Sequence, residues 1–312
     1  TAVEEMAYTL ANGLAYVDEL IRRGGDLTKF ARRLSFFFYV HMDLFEEASK
    51  FRAGRRLWAK LLRERYGVTD DKALHFRFGV VCGGSSLVAA QPYNNIVRVA
   101  IENMAAVLGG AQSIFTCAYD EAFQIPTEFS AEIALRTQQI VRHESGIAAT
   151  VDPLGGSYYV EWLTERMEKT MLEVMGEIDA YGGVVKAIED GWLQRRIAVR
   201  AKQKKDATDR GERIVVGQNQ FRREAQADSY GEVFRLDPQI SARVLAKHAA
   251  LKRERDAARV ERSRAALEAA AATDTHNLMP LLIECCHAYA TVGEMVDRLK
   301  RCWGEFQEPV RL

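Results

Sequence analysis

A parallel α/β arrangement, open sheet or barrel, followed by a mainly helical second half is the fold class this sequence predicts. Three observations predict it: three short apolar runs in the first 120 residues, helical stretches between them, and apolar residues at helical spacing after residue 157. The first run, residues 34–40 (LSFFFYV), is nearly continuous, as a buried strand would be. Residues 52–65 (RAGRRLWAKLLRER) read as a basic amphipathic helix. Residues 75–81 form the second strand and lead into Cys82-Gly83-Gly84. The next helix spans residues 92–108, with proline in an early turn, where its missing N–H costs little, and Gly109-Gly110 as its stop. Residues 113–117 form the third strand and lead into Tyr119-Asp120-Glu121.

Beyond Ser157 the periodicity predicts helices over 158–180, 184–208 and 240–272. Ile214-Val215-Val216-Gly217 is the one strand-like break, and Thr291-Val292-Gly293-Glu294 has capping-box spacing for a last short helix. The organisational boundary falls at the loop 150–157, which divides a strand-containing part, 1–150, from a helical part, 151–312. In parallel α/β barrels chemistry sits at the carboxyl ends of strands. The glycine pair after the second strand and the two carboxylates after the third therefore mark a candidate site.

With 312 residues and 48% apolar content the chain can bury a large core, in one large domain or two smaller ones. Forty-three basic and 43 acidic residues cancel, so the overall balance does not point to nucleic acid or a membrane surface as partner. The basic run 195–205 reads as a solvated helix face. No 18-residue apolar run and no secretory leader pattern occur, so the expected setting is the cytoplasm, with an organelle matrix as the other choice. Five irregularly spaced cysteines make no disulfide framework, and Cys285-Cys286-His287 lacks the paired spacing of a zinc site and reads as helix packing.

Residues 100–157 (AIENMAAVLGGAQSIFTCAYDEAFQIPTEFSAEIALRTQQIVRHESGIAATVDPLGGS) resemble the large catalytic chain of the coenzyme B12-dependent acyl-CoA mutases, the methylmalonyl-CoA mutase family. Collinear segments extend the resemblance over nearly the whole chain: AYTLANG at 7–13, RLSFF at 33–37, FRAGRRLWA at 51–59, PYNNIVR at 92–98 and ATVGE at 290–294. The resemblance implies the last three strands of a (β/α)8 TIM barrel, followed by helices leading towards a cobalamin-binding domain. In the family the catalytic histidine and most acyl-gripping groups lie upstream of the position matching Thr1, and the Asp-x-His-x-x-Gly cobalamin signature lies downstream. The expectation is an internal segment or one subunit of a split mutase, completed by an N-terminal barrel part and a cobalamin-binding domain or subunit. A G-protein chaperone serves many relatives and is the further partner the resemblance allows.

The implied reaction is radical carbon-skeleton isomerisation of an acyl-CoA with adenosylcobalamin. The cofactor carries that chemistry, and the protein orients, excludes water and protects radicals. Carried over position by position, Arg33, Ser35, Lys72 and Gln112 match substrate-binding positions, with Lys72 the cation for a CoA phosphate. Gly84 matches a glycine facing the corrin, Glu121 a carboxylate on the adenosyl ribose, and Gln124 a further cofactor position. No catalytic or cobalt-binding residue falls inside the chain. Where methylmalonyl-CoA mutases have Gln-Thr-Ser-Gly-Trp-Ser this chain has Val81-Cys82-Gly83-Gly84-Ser85-Ser86, and for Leu-His-Thr-Asn it has Ile114-Phe115-Thr116-Cys117. A less polar cavity disfavours a buried carboxylate without partners. The expected substrate is therefore isobutyryl-, 2-hydroxyisobutyryl- or a bulkier acyl-CoA, and the alternative is a non-catalytic scaffold subunit.

Overall fold

The computed structural model of the chain describes residues 1–222, 234–307 and 309. It divides into two compact units, Thr1–Phe234 and Arg235–Glu308. In the first, helix α1 (Ala2–Arg22) and the short α2 (Leu27–Ala31) precede strand β1 (Phe36–Val40). Then follow α3 (Leu44–Tyr66), α4 (Asp71–Leu74), β2 (Phe78–Cys82), α5 (Asn94–Leu108), β3 (Ser113–Phe115) and α6 (Glu128–His143). Helices α7 (Tyr158–Tyr181), α8 (Val184–Glu189) and α9 (Trp192–Asp209) complete the unit.

The strands form one parallel sheet in the order β1-β2-β3, with Phe37 opposite Gly79, Tyr39 opposite Val81, and Val81 opposite Phe115. All three expected strands are present but shorter. Helix α3 begins at Leu44 rather than residue 52, because the Asp43 carboxylate accepts from the Glu46 N–H at 3.1 Å and caps it there. The expected helix over 184–208 is two helices, interrupted at Asp190-Gly191, where Gly191 takes φ 69°. Ile214–Gly217 forms no strand, only a single bridge between Val216 and Gln220.

Helices cover one face of the sheet. On it Phe36, Phe38, Phe76 and Phe78 pack with Trp58 and Phe51 of α3, with ring centroids 5.0 Å apart for Phe36–Trp58 and 4.9 Å for Phe51–Phe78. Met6, Leu10 and Leu14 of α1 and Met171 and Ile178 of α7 extend this core. The other face is bare: Phe37, Tyr39 and Phe115 are 66%, 55% and 60% exposed. Parallel strands are ordinarily buried on both faces, so this face is expected to find a cover. Taken alone, the 312-residue chain should self-associate, and a monodisperse monomer in analytical ultracentrifugation would refute that.

The compact units do not part at residue 150. The Arg52 guanidinium donates to Asp152 in the 150–157 loop and, at 2.6 Å, to Glu161 on α7, while Arg56 pairs with Glu168. These bonds and the packing of α7 on α1 and α3 hold the first helices after the loop to the strand-bearing part. The last strand ends at Phe115, and the compact unit runs on past residue 150 to Phe234.

The second unit holds α10 (Pro238–Glu254), α11 (Ala257–Ala271), α12 (Met279–His287) and α13 (Val292–Trp303). The expected helix over 240–272 is broken at Arg255-Asp256, and Asp256 caps α11. Val260, Leu267, Cys285 and Met295 form a small core, so Cys285 packs as the sequence suggested. The Thr291–Glu294 capping box is formed, and the same Glu294 carboxylate takes two bonds from Arg255, which hold it well below the usual carboxylate range.

Candidate active site

The three strands present two ends, about 16 Å apart for a five-residue strand at roughly 3.3 Å per residue. Arg33, Ser35, Lys72 and Gln112 all lie at the amino end and are exposed. Arg32 donates to both Asp70 carboxylate oxygens, at 3.0 and 2.5 Å, which ties the turn bearing Arg33 to the N-terminus of α4 that carries Lys72. Gln112 is committed to the backbone: its Oε1 accepts from the Phe78 N–H at 2.6 Å and its Nε2 donates to the Gly110 carbonyl at 2.9 Å. It thus joins the start of β2 to the turn before β3.

The carboxyl end holds the other set. After β2 the chain enters a 3-10 turn, Gly84–Ser86, and after β3 it runs through Thr116 and Cys117 to Glu121. The Gly83 N–H donates to the Val40 carbonyl at 2.8 Å and the Cys117 thiol to the Cys82 carbonyl at 3.0 Å, so the three exits are bonded side by side. A Cβ on Gly84 would meet Glu121 Cγ at 3.5 Å and Cys117 Sγ at 4.0 Å, which is ordinary contact. The chain's own packing does not demand glycine at 84, and what glycine leaves is open backbone beside a carboxylate. The exposed Glu121 side chain makes no hydrogen bond among the described residues. Gln124 is differently placed, since its Nε2 donates to Asp120 Oδ2 at 2.8 Å and its Oε1 accepts from the Phe234 N–H at 3.0 Å.

Buried polar residues of α5 build this end. Asn95, fully buried, donates to the carbonyls of Val88 and Tyr119 at 2.9 and 2.8 Å, and its Oδ1 accepts from the Val88 N–H and from Arg98. One side chain thereby clamps the loops after β2 and β3. Glu102, also fully buried, has no hydrogen-bond partner of good geometry on either carboxyl oxygen among the described residues. Burial pushes its carboxyl up to about 8, against the opposing pull of the Ser86 hydroxyl and the Gly83 N–H. Burial, with the Glu121 and Glu102 carboxylates, pushes the Cys117 thiol up to about 12, so it stays protonated.

The sequence reading missed His41, Ser86, Asn95 and Glu102 as site-building residues. His41 had a signal: it directly follows an apolar run, the position that singled out Gly84 and Glu121. Of the expected departures, Val81 and Phe115 lie on the bare face of the sheet. Cys82, in the same stretch, does not lie on that face. It faces the helices, fully buried, and its thiol points to the Val99 carbonyl.

The sequence profile of the methylmalonyl-CoA mutase family matches residues 1–305. The chain is 42% identical over 306 residues, 98% of its length, to the 2-hydroxyisobutanoyl-CoA mutase large subunit of Aquincola tertiaricarbonis, of which it covers 54%. It is 41% identical over its whole length to human mitochondrial methylmalonyl-CoA mutase, covering 41% of that protein. To the methylmalonyl-CoA mutase of Rhizobium meliloti it is 38% identical, covering 43%. The chain spans about half the length of these curated relatives.

Proposed function

Because the chain belongs to the methylmalonyl-CoA mutase family, we propose that it supplies three strands of a (β/α)8 barrel in an isomerase acting on an acyl-CoA. The observation that carries this is the division of one short sheet into two chemically different ends. The amino end gathers the exposed Arg33, Ser35 and Lys72, suited to the phosphates and amide groups of coenzyme A. At the carboxyl end, bare backbone at Gly84 lies beside Glu121, whose carboxylate can accept two hydroxyl donors. The acyl chain would run between them along the bare face.

The residues present fit adenosylcobalamin: Gly84 leaves room for a flat macrocycle, and Glu121 faces the same opening to take the adenosyl ribose. When bound, that cofactor supplies the radical chemistry. The chain's own residues bind, orient and keep water out. Phe37, Tyr39, Val81 and Phe115 line the path with apolar surface, and the Gln112 amide is spent on the backbone, its proposed contact with substrate being made from that fixed position. Gln124 would act by holding the Asp120–Glu121 loop through its bond to Asp120. Remaining barrel strands cover the bare face, and a cobalamin-binding domain or subunit supplies the cobalt ligand. The proposed setting is cytoplasmic, in keeping with five cysteines that form no disulfide.

The apolar lining favours an uncharged acyl group over methylmalonyl-CoA, since a second carboxylate would lie against Val81 and Phe115 without a partner. The test is isomerisation of an acyl-CoA panel by the assembled enzyme with and without adenosylcobalamin. Cofactor-dependent conversion of isobutyryl-, 2-hydroxyisobutyryl- or a bulkier acyl-CoA is expected. Efficient turnover of methylmalonyl-CoA would sink the substrate assignment, and no conversion with cobalamin bound would favour a scaffold.

A further inference from the structure

Period-two alternation puts Phe37, Tyr39 and His41 on the bare face, and His41 is the first residue past the end of β1. Its ring stacks on Tyr39 with centroids 6.2 Å apart and planes 19° from parallel. It also lies directly on Gly83, where an added Cβ would come within 2.1 Å of Nδ1 and 3.0 Å of the Val40 carbonyl. Nδ1 is 3.2 Å from the Ser86 hydroxyl, and Nε2 has no hydrogen-bond partner among the described residues. The absence of a side chain at Gly83 is what leaves room for the imidazole.

Resting on the mutase reading, we infer that His41 is a specificity-determining residue of this site, its Nε2 hydrogen-bonding an uncharged oxygen of the ligand held over the Gly83-Gly84 turn. Tyr39, Gly83 and Ser86 fix the ring on three sides, leaving Nε2 as its one unspent polar atom. Burial, with the cations of Lys204, Lys50 and Arg213, pushes His41 down to about 4, so it meets the ligand as neutral imidazole. A neutral imidazole suits a carbonyl or hydroxyl oxygen rather than a carboxylate. Two sources offer such an oxygen at this end, the acyl group of the substrate and the ribose of the cofactor.

The experiment uses the assembled enzyme and calorimetric affinities for two probes: isobutyryl-CoA without cofactor, and adenosylcobalamin without substrate. Wild type is compared with His41→Ala, His41→Asn and His41→Gln. Asparagine can keep the bond to Ser86 but falls short of the Nε2 position, which glutamine reaches. The expected result is affinity for one probe weakened about tenfold in H41A and H41N and restored to within about threefold in H41Q, the size of one hydrogen bond to a neutral oxygen. The probe that weakens identifies the source. Unchanged affinity for both probes in H41A, or equal losses in H41N and H41Q, overturns the inference. A wild-type enzyme that binds acyl-CoA but isomerises none overturns the mutase reading instead, and one that binds neither probe overturns both.

Discussion

Replacing Lys50 by methionine is expected to destabilise the protein by about 3–5 kcal/mol, the cost of removing one member of a buried ionic group. Lys50 is fully buried on α3, with Nζ 2.7 Å from Glu5 and 2.5 Å from Glu47, itself only 2% exposed. Nζ also donates to the Tyr39 carbonyl at 2.7 Å, and the second Glu5 oxygen accepts from the Tyr39 N–H at 2.8 Å. The edge of β1 is thus closed at Tyr39 by side chains from α1 and α3, next to the candidate site. Methionine fills similar volume but strands the Glu47 carboxyl and the Tyr39 carbonyl. Chemical denaturation should show K50M well below wild type, and the double variant Glu47→Gln/Lys50→Met recovering part of the loss. A cost under about 1 kcal/mol would mean that the edge is held by something else.

Replacing Glu102 by glutamine should change how stability depends on pH. The folded Glu102 carboxyl titrates near 8 and its ordinary value is 4.5, so between those values the folded state keeps a proton that the unfolded chain releases. Its stabilising contribution is fully present below pH 4.5 and is lost as the pH rises towards 8, by at most about 1.4 kcal/mol per pH unit. Glutamine has the same shape and no such loss. Relative to wild type, E102Q should gain a few kcal/mol, on the order of that slope, between pH 5 and pH 8. Denaturation midpoints of the two proteins that move in parallel with pH would show that the carboxyl is not raised.

Strands β1, β2 and β3 were legible because each is a compact apolar run ending in residues that cannot continue it, such as Gly83-Gly84. Helix α7 was legible nearly to the residue, since Val160, Met167, Met171, Val174 and Ile178 keep one buried stripe. The long helices expected over 184–208 and 240–272 were misjudged for a common reason. Periodicity survives across a one- or two-residue break, and only the left-handed backbone at Gly191 or the cap at Asp256 reveals it. Of the residues expected at the site, Gly84 and Glu121 lie beside each other, whereas Gln112 and Gln124 have their amides held by the protein.

The sequence by itself determined what is local or collinear: the alternation of strand and helix, the family, and which polar residues precede and follow each strand. Tertiary structure alone decided which groups meet. Residues 41, 83 and 86 become one site only through the parallel pairing of β1 with β2. The value at which Glu102 titrates depends on α5 carrying it beneath that turn, out of water. The same packing kept residue 150 from being a boundary, because Arg52 on α3 finds its partners beyond it. Burial and partnership are properties of neighbours in space, and a carboxylate or an imidazole takes its charge from them rather than from its place in the chain.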